Sequence, residues 1–304
     1  MHEMHGRRKV APLPGHSGGS GVSPARASPT VRRRELGARL RALRTERGLT
    51  VEQVAEHLLV SASKVSRLET GQRGASARDI RDLARLFGLD DAEQQRLTEL
   101  AAEGKERAWW QPFGLPYSTY VGLESDATLI RDFALGPVPG LLQTPDYARA
   151  ILTASVQHFT PDMVEHLVNG RLVRQQRLLA DGSPTQFQAI LEMTVLRRIV
   201  GSRSVMRAQL QHLLDVTDLP NVTVRAIPYE AGALPWAINK FIILSFANPD
   251  LSDVVFIEGM TGDLYLERDE DIEAYNDAFR ELGVLAATAS KTRDMISAIM
   301  RAEY

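Results

Sequence analysis

From Val31 onward the apolar residues fall at helical spacing, with Leu36, Leu40 and Leu43 on a segment otherwise dense in arginine, until Gly48 closes it. Upstream, residues 1–29 hold the run His16-Ser-Gly-Gly-Ser-Gly21 together with Pro12, Pro14, Pro24 and Pro29. That stretch has too little apolar material to offset the entropy of ordering it, and it reads as a disordered tail. Four more helical patterns follow the first. Thr50-Val-Glu-Gln53 is a capping box, with Thr50 capping the helix start and Gln53 capping back, and it opens a helix through Val54, Ala55 and Leu58. Ser61 caps a helix predicted at 62–70 that stops at Gly71. Ser76 caps the next, which runs through Ile80, Leu83, Leu86 and Phe87 to Gly88, and a fifth covers about 91–103. Residues 30–103 are therefore expected to form one small helical domain.

Beyond residue 103 the pattern changes. Trp109-Trp110-Gln-Pro112 and Leu115-Pro116 interrupt the helical texture and mark a linker at 104–117. Helical patterns return at 123–135, 145–156 and 161–180, around the turn Gly136-Pro-Val-Pro-Gly140. Then Gln186–Met193, Val222–Pro228, Phe241–Phe246, Val254–Glu258 and Asp263–Leu266 are short and β-branched or aromatic, as strands are. A helix at 203–217 separates the first two, and helices at 269–287 and 290–302 close the chain. The expected fold is a mainly α N-terminal five-helix domain followed by an α+β C-terminal domain, 118–304, with a small, largely antiparallel sheet.

Composition changes this picture in two ways. The 304 residues carry a net charge of -2, but residues 1–89 hold 17 basic and 8 acidic side chains, a net +9, which leaves -11 on the remainder. A basic head on an acidic body suits a chain whose head meets a polyanion. Cysteine is absent, which removes disulfides, thiolate zinc sites and cysteine nucleophiles together and fits a reducing compartment. No apolar run approaches the roughly eighteen residues that cross a bilayer, and no secretory pattern opens the chain, so the expected location is the cytoplasm, away from membranes.

Catalytic chemistry finds little support. The seven histidines, at 2, 5, 16, 57, 158, 166 and 212, form no HExxH-type pair. Glu267, Asp269, Glu270, Asp271 and Glu273 gather where a helix begins and complement its dipole. Gly259-Met-Thr-Gly262 lacks the Lys-Ser/Thr ending of a phosphate loop and fits a turn between strands, and no G-x-S-x-G elbow occurs. No enzyme, cofactor or metal is expected. Trp109, Trp110, Phe113 and Tyr117 suit an apolar pad that docks the linker, a ligand cage being the alternative. Arg171, Arg174 and Arg177 suit a solvated helix face or a surface for an acidic partner.

The segment 49–71 has the lengths of a helix-turn-helix: a short helix, the turn Leu59-Val60-Ser61, and a second capped helix. At 100° per residue, Val65 and Leu68 define the buried arc of that second helix, while Ala62, Ser63, Ser66 and Arg67 share the opposite one. Small residues let a helix sit deep in the major groove, and an arginine can pair bidentately with guanine. Leu40-Arg-Ala-Leu-Arg44, Arg47-Gly-Leu-Thr50, Val54-Ala-Glu56, Val60-Ser61 and Lys64-Val-Ser-Arg-Leu-Glu-Thr-Gly71 then resemble the phage Cro/repressor type of helix-turn-helix, the xenobiotic-response-element family, over about residues 36–93. The resemblance implies base and phosphate contacts from Ser61, Ala62, Ser63, Ser66 and Arg67, with Lys64 and the Thr70–Arg73 turn near the DNA backbone. Two positions depart from it. Val51 stands where a phosphate-binding glutamine is common, leaving Gln53 as a nearby polar candidate that the capping box also claims. Leu59 stands at a frequent turn glycine, which suggests an altered turn.

Further on, Trp109-Trp110, Tyr120–Glu124, Val138–Thr144, Asp146–Arg149, Met206–Leu210, Pro220–Val224 and Glu258–Asp263 resemble antitoxin-like transcriptional regulators of high-GC bacteria. That resemblance implies a sequence-specific regulator of double-stranded DNA whose C-terminal domain, of unassigned biochemistry, binds a small protein encoded by a neighbouring gene. A homodimer is expected, because this motif usually reads two half-sites. The alternatives are a regulator whose C-terminal domain senses a small molecule, and an adaptor that has lost DNA binding.

Overall fold

The computed structural model describes residues 27–115, 118–155, 159–179, 185–234 and 239–304. The tail reading for residues 1–26 and the docking role of Tyr117 lie outside them. Five helices form the head: α1 (Pro29–Glu46), α2 (Val51–His57), α3 (Ala62–Glu69), α4 (Ala77–Phe87) and α5 (Asp91–Glu103). The side chains of Thr50, Ser61, Ser76 and Asp90 each cap a helix start, and Thr50/Gln53 and Ser76/Asp79 form complete capping boxes. Leu36, Leu40, Leu43, Val54, Val65, Leu68, Ile80, Leu83, Phe87 and Leu97 converge on one core. α1 begins earlier than its apolar periodicity, because Ser28 caps it and Pro29 fits the first turn.

The body comprises α6 (Ser118–Asp126), β1 (Leu129–Ala134), α7 (Pro145–Thr153), α8 (Pro161–Gln175), β2 (Gln186–Glu192), α9 (Met193–Arg197), α10 (Arg203–Val216), β3 (Val222–Ile227), β4 (Phe241–Ser245), β5 (Val254–Ile257), β6 (Leu264–Leu266), α11 (Asp269–Leu285) and α12 (Ala289–Glu303). The α+β expectation holds, with a mixed, mostly antiparallel sheet ordered β3-β2-β1-β4-β5-β6. β1 runs parallel to β2 and β2 to β3, while β1–β4, β4–β5 and β5–β6 are antiparallel. Both faces are covered. Ile130, Phe187, Val224, Leu244 and Phe256 face the core that includes α7, α8, α10 and α12. Phe133, Ile190, Phe241, Ile243 and Val255 face α11 through Ala278, Phe279 and Leu282. Burial on both sides is why Phe241–Leu244 and Val254–Ile257 are apolar without alternation.

Two sequence expectations are corrected here. The helix predicted at 123–135 ends at Asp126, and β1 follows as the strand that joins the parallel and antiparallel halves. Arg131 and Asp132 interrupt its apolar character; the fold accommodates Arg131 through Ser245 at 2.7 Å, Asp253 at 3.2 Å and Asn276. Second, the arginines at 171, 174 and 177 do not form a solvated face. Arg174 is buried and makes a bidentate pair with buried Glu124 at 2.7 and 2.6 Å, and Arg177 donates to the Ala127 carbonyl at 3.1 Å. Arg171 reaches the side-chain oxygen of Gln143.

Head and body meet along α1. Val31 belongs to the body core while Leu36, Leu40 and Leu43 belong to the head core. The Ser28 hydroxyl donates to the Gly122 carbonyl at 2.8 Å and its backbone N–H to Asp126 at 2.9 Å. Arg34 pairs with Glu267 at 3.0 Å, and Asn248 donates to Glu35 at 2.9 Å. Trp110 is buried and packs edge-on against Trp109 with ring centroids 5.7 Å apart, so the described part of the aromatic cluster is a docking pad.

Candidate nucleic-acid interface

α3 is seated by Val65 and Leu68 and held from the far side by α1. A side chain at Gly37 would bring its Cβ within 2.5 Å of the Glu69 carbonyl oxygen, so glycine lets α1 approach the end of α3. Arg44 then clamps the Glu69 carboxylate through two bonds of 2.7 and 3.0 Å. This seating leaves Ser63, Ser66 and Arg67 exposed on one face, with Ala62 half-buried beside them. Arg67 makes a single long contact, Nε to the Ser63 carbonyl at 3.3 Å, and pairs with no carboxylate among the described residues. Arg73 is exposed in the turn after α3, its backbone N–H tied to the Arg67 carbonyl at 3.0 Å.

The remaining candidates are partly engaged within the head. Ser61 uses its hydroxyl oxygen to accept the Lys64 amide N–H at 3.2 Å, which leaves its O–H proton to donate outward. Lys64 turns to Asp79 at 2.7 Å. Burial pushes the Asp79 carboxyl up, but the Lys64 ammonium and the Ser76 N–H outweigh it and hold the group below the usual carboxylate range. Gln53 accepts the Thr50 N–H at 2.8 Å through its side-chain oxygen, leaving the amide hydrogens for another acceptor. Val51 packs against the head core, which gives its place a structural purpose. Leu59 stands in the left-handed region at φ 54° with its side chain 89% exposed, so the altered turn keeps the backbone shape a glycine would supply.

Most arginines of α1 are taken up internally, while Arg41 on α1 and Arg81 and Arg85 on α4 are exposed and pair with no carboxylate among the described residues. Along α1, Arg32 pairs with Glu103 at 2.7 Å and Arg39 with Glu93 at 2.5 Å, Arg33 donates to the Gly104 carbonyl at 2.9 Å, and Arg47 to the Phe87 carbonyl at 2.5 Å. With Arg34 and Arg44 these side chains knit the molecule together. Counting basic residues in the sequence could not separate these structural arginines from Arg67 and Arg73. Among the described residues no cluster of three or more histidines, aspartates or glutamates is placed to hold a metal ion, and no helix is long and apolar enough to cross a membrane.

A short helix, a tight turn and a second helix with an exposed small-residue face define a helix-turn-helix domain, of the kind DNA-binding transcriptional regulators carry. Residues 35–97 match the family model described as a helix-turn-helix domain. Residues 117–298 match the family described as a domain of unknown function (DUF5753), and the chain belongs to that family. Among solved structures, the crystal structure of the clp gene regulator ClgR from C. glutamicum is 28% identical, over 25% of this chain and 94% of that one, with a TM-score of 0.21. The curated proteins contain no match.

Proposed function

We propose that this protein is a sequence-specific, double-stranded-DNA-binding transcriptional regulator of the cytoplasm that acts as a homodimer. α3 enters the major groove, where Ser61, Ala62, Ser63 and Ser66 allow close approach and Arg67 reads a base edge. Arg73, Gln53 and Lys64 serve the phosphate backbone, Lys64 by leaving Asp79 or by sharing it. The observation that carries this reading is the division of charge. Of the α1 arginines, Arg32, Arg33, Arg34, Arg39 and Arg44 are taken up by internal partners and only Arg41 is left exposed, whereas Arg67 and Arg73, on and just after α3, pair with no carboxylate among the described residues. The acidic body is repelled by phosphates and serves as the regulatory input. The antitoxin-like resemblance of 109–263 supports a small protein as its partner, and exposed Ile199, Tyr229 and Val284 on the body offer apolar contacts for one.

The test begins with selection of bound duplexes from a random library by the full chain, followed by mobility-shift titration at fixed salt. Arg67→Ala is expected to lose about 1–3 kcal/mol at the selected site and to relax one base preference. Unchanged affinity and preference in a variant that unfolds at the wild-type midpoint would falsify the assigned reading face.

A further inference from the structure

A cavity of about 360 Å³ opens in the body between α7, α8 and the loop joining β5 to β6. That volume is in the range of small-molecule sites. One wall is apolar, built from Ile151, Leu152, Phe159 and Leu167. Arg171 lines the same cavity. Its Nη1 donates to the side-chain oxygen of Gln143, a neutral partner. Its Nε is buried without any hydrogen-bond partner, and it forms no ion pair with a carboxylate among the described residues. A half-buried guanidinium bonded only to a neutral oxygen, and ion-paired with no carboxylate among the described residues, gains from an anion in the adjoining space.

The neighbouring residues hold the guanidinium in place rather than neutralise it. Gln143 is itself buried and fixed, its amide nitrogen donating to the Val138 carbonyl at 2.7 Å while Gln175 donates to its backbone carbonyl at 2.7 Å. The Val138–Thr144 segment thus presents one oxygen to one arm of Arg171. The two acids on the opposite wall are Glu258 and Asp263. Glu258 pairs with Lys240 at 3.3 Å, and Asp263 accepts the Gly259 N–H across the turn at 3.4 Å. They leave room for one negative charge at Arg171 and oppose a second at the far end of the ligand.

We propose that this cavity binds a small organic monocarboxylate with an apolar tail, the carboxylate on Arg171 and the tail against Ile151, Leu152, Phe159 and Leu167. The site lies in the region shared with the domain of unknown function and is independent of the DNA-binding reading.

The test is a ligand-observed NMR titration of the full chain with linear acids from butanoate to decanoate and with phenylacetate and 3-phenylpropionate. Each acid is run beside its primary amide, and octanoate also beside the doubly charged suberate. At least one acid is expected to bind about tenfold more tightly than its amide, and octanoate more tightly than suberate. Arg171→Gln is expected to remove that preference. Met260 lines the mouth of the cavity and is 87% exposed, so Met260→Asp keeps the fold while repelling an anion. It is expected to weaken the acid and leave the amide unchanged, and it carries the test if Arg171→Gln does not fold. Absence of binding by every acid at about 1 mM, equal affinity for acid and amide, or acid binding indifferent to both substitutions overturns the proposal.

Discussion

Leu59 is held in the left-handed region with its side chain in solvent, so its conformation costs free energy that no packing returns. Leu59→Gly removes that strain while loosening the unfolded chain, and a net gain of about 0.5–1 kcal/mol is expected, read as a higher urea midpoint. Asp132 makes a different demand. It sits in β1 with one carboxylate oxygen buried and without a hydrogen-bond partner. Burial pushes its carboxyl up to about 6, with Glu124 and Glu258 acting in the same direction and Lys240 and Arg174 only partly offsetting them. The folded state therefore keeps a proton that the unfolded chain has already released. The stability contribution falls as pH climbs from the ordinary carboxylate range through about 6, and the full penalty stands above that. Asp132→Asn is expected to gain on the order of 2 kcal/mol at pH 8 and much less near pH 4, by comparison of urea midpoints at the two pH values.

Among the elements, the helices of the head were readable because their information is local. Thr50, Ser61 and Ser76 announce helix starts, Gly71 and Gly88 announce ends, and Val65 and Leu68 identify the buried side of α3 before any partner is known. β1 was not readable, because Arg131-Asp132 look like a helix surface until Ser245, Asp253 and Asn276 are brought around Arg131 by the rest of the sheet. The same holds for Arg171 and Arg174: their spacing is visible in the sequence, but Gln143 and Glu124 come from other elements. For the candidate interface, Ser63, Ser66 and Arg67 could be placed on one face by helical periodicity, whereas the engagement of Lys64 by Asp79 depends on how α4 packs. The close approach of α1 to α6 depends on Gly122, where an added Cβ would lie 2.3 Å from Thr30 Oγ1 and 3.0 Å from the Trp110 ring. Gly122→Ala should push α1 off α6 at a cost of about 1–3 kcal/mol, seen as a lower urea midpoint with the spectrum of the native fold retained.

On the scale of the whole molecule, the bridge from α5 to the body is not what holds the two halves together. Lys105-Glu106-Arg107 is exposed just after α5 and offers trypsin a site. After cleavage there, the pieces are expected to separate on a denaturing gel yet co-elute on native gel filtration, because Ser28, Val31 and Arg34 stay docked. Separate elution of the nicked pieces would show that the α1 contacts are too weak to join them. The shared helix also bears on replacing the head of this protein. A recombinant joined at the 104–117 bridge would receive a foreign first helix with nothing in place of Ser28, Val31 and Arg34, and its new head would be tethered without being seated. A working graft needs two junctions: one inside α1 after Glu35, whose side chain meets Asn248 of the body, and one after α5. Residues 27–35 carry the body contacts of Ser28, Val31 and Arg34 while Arg32 and Arg33 reach back to Glu103 and Gly104 at the end of α5, so a foreign head would also have to match those two arginines.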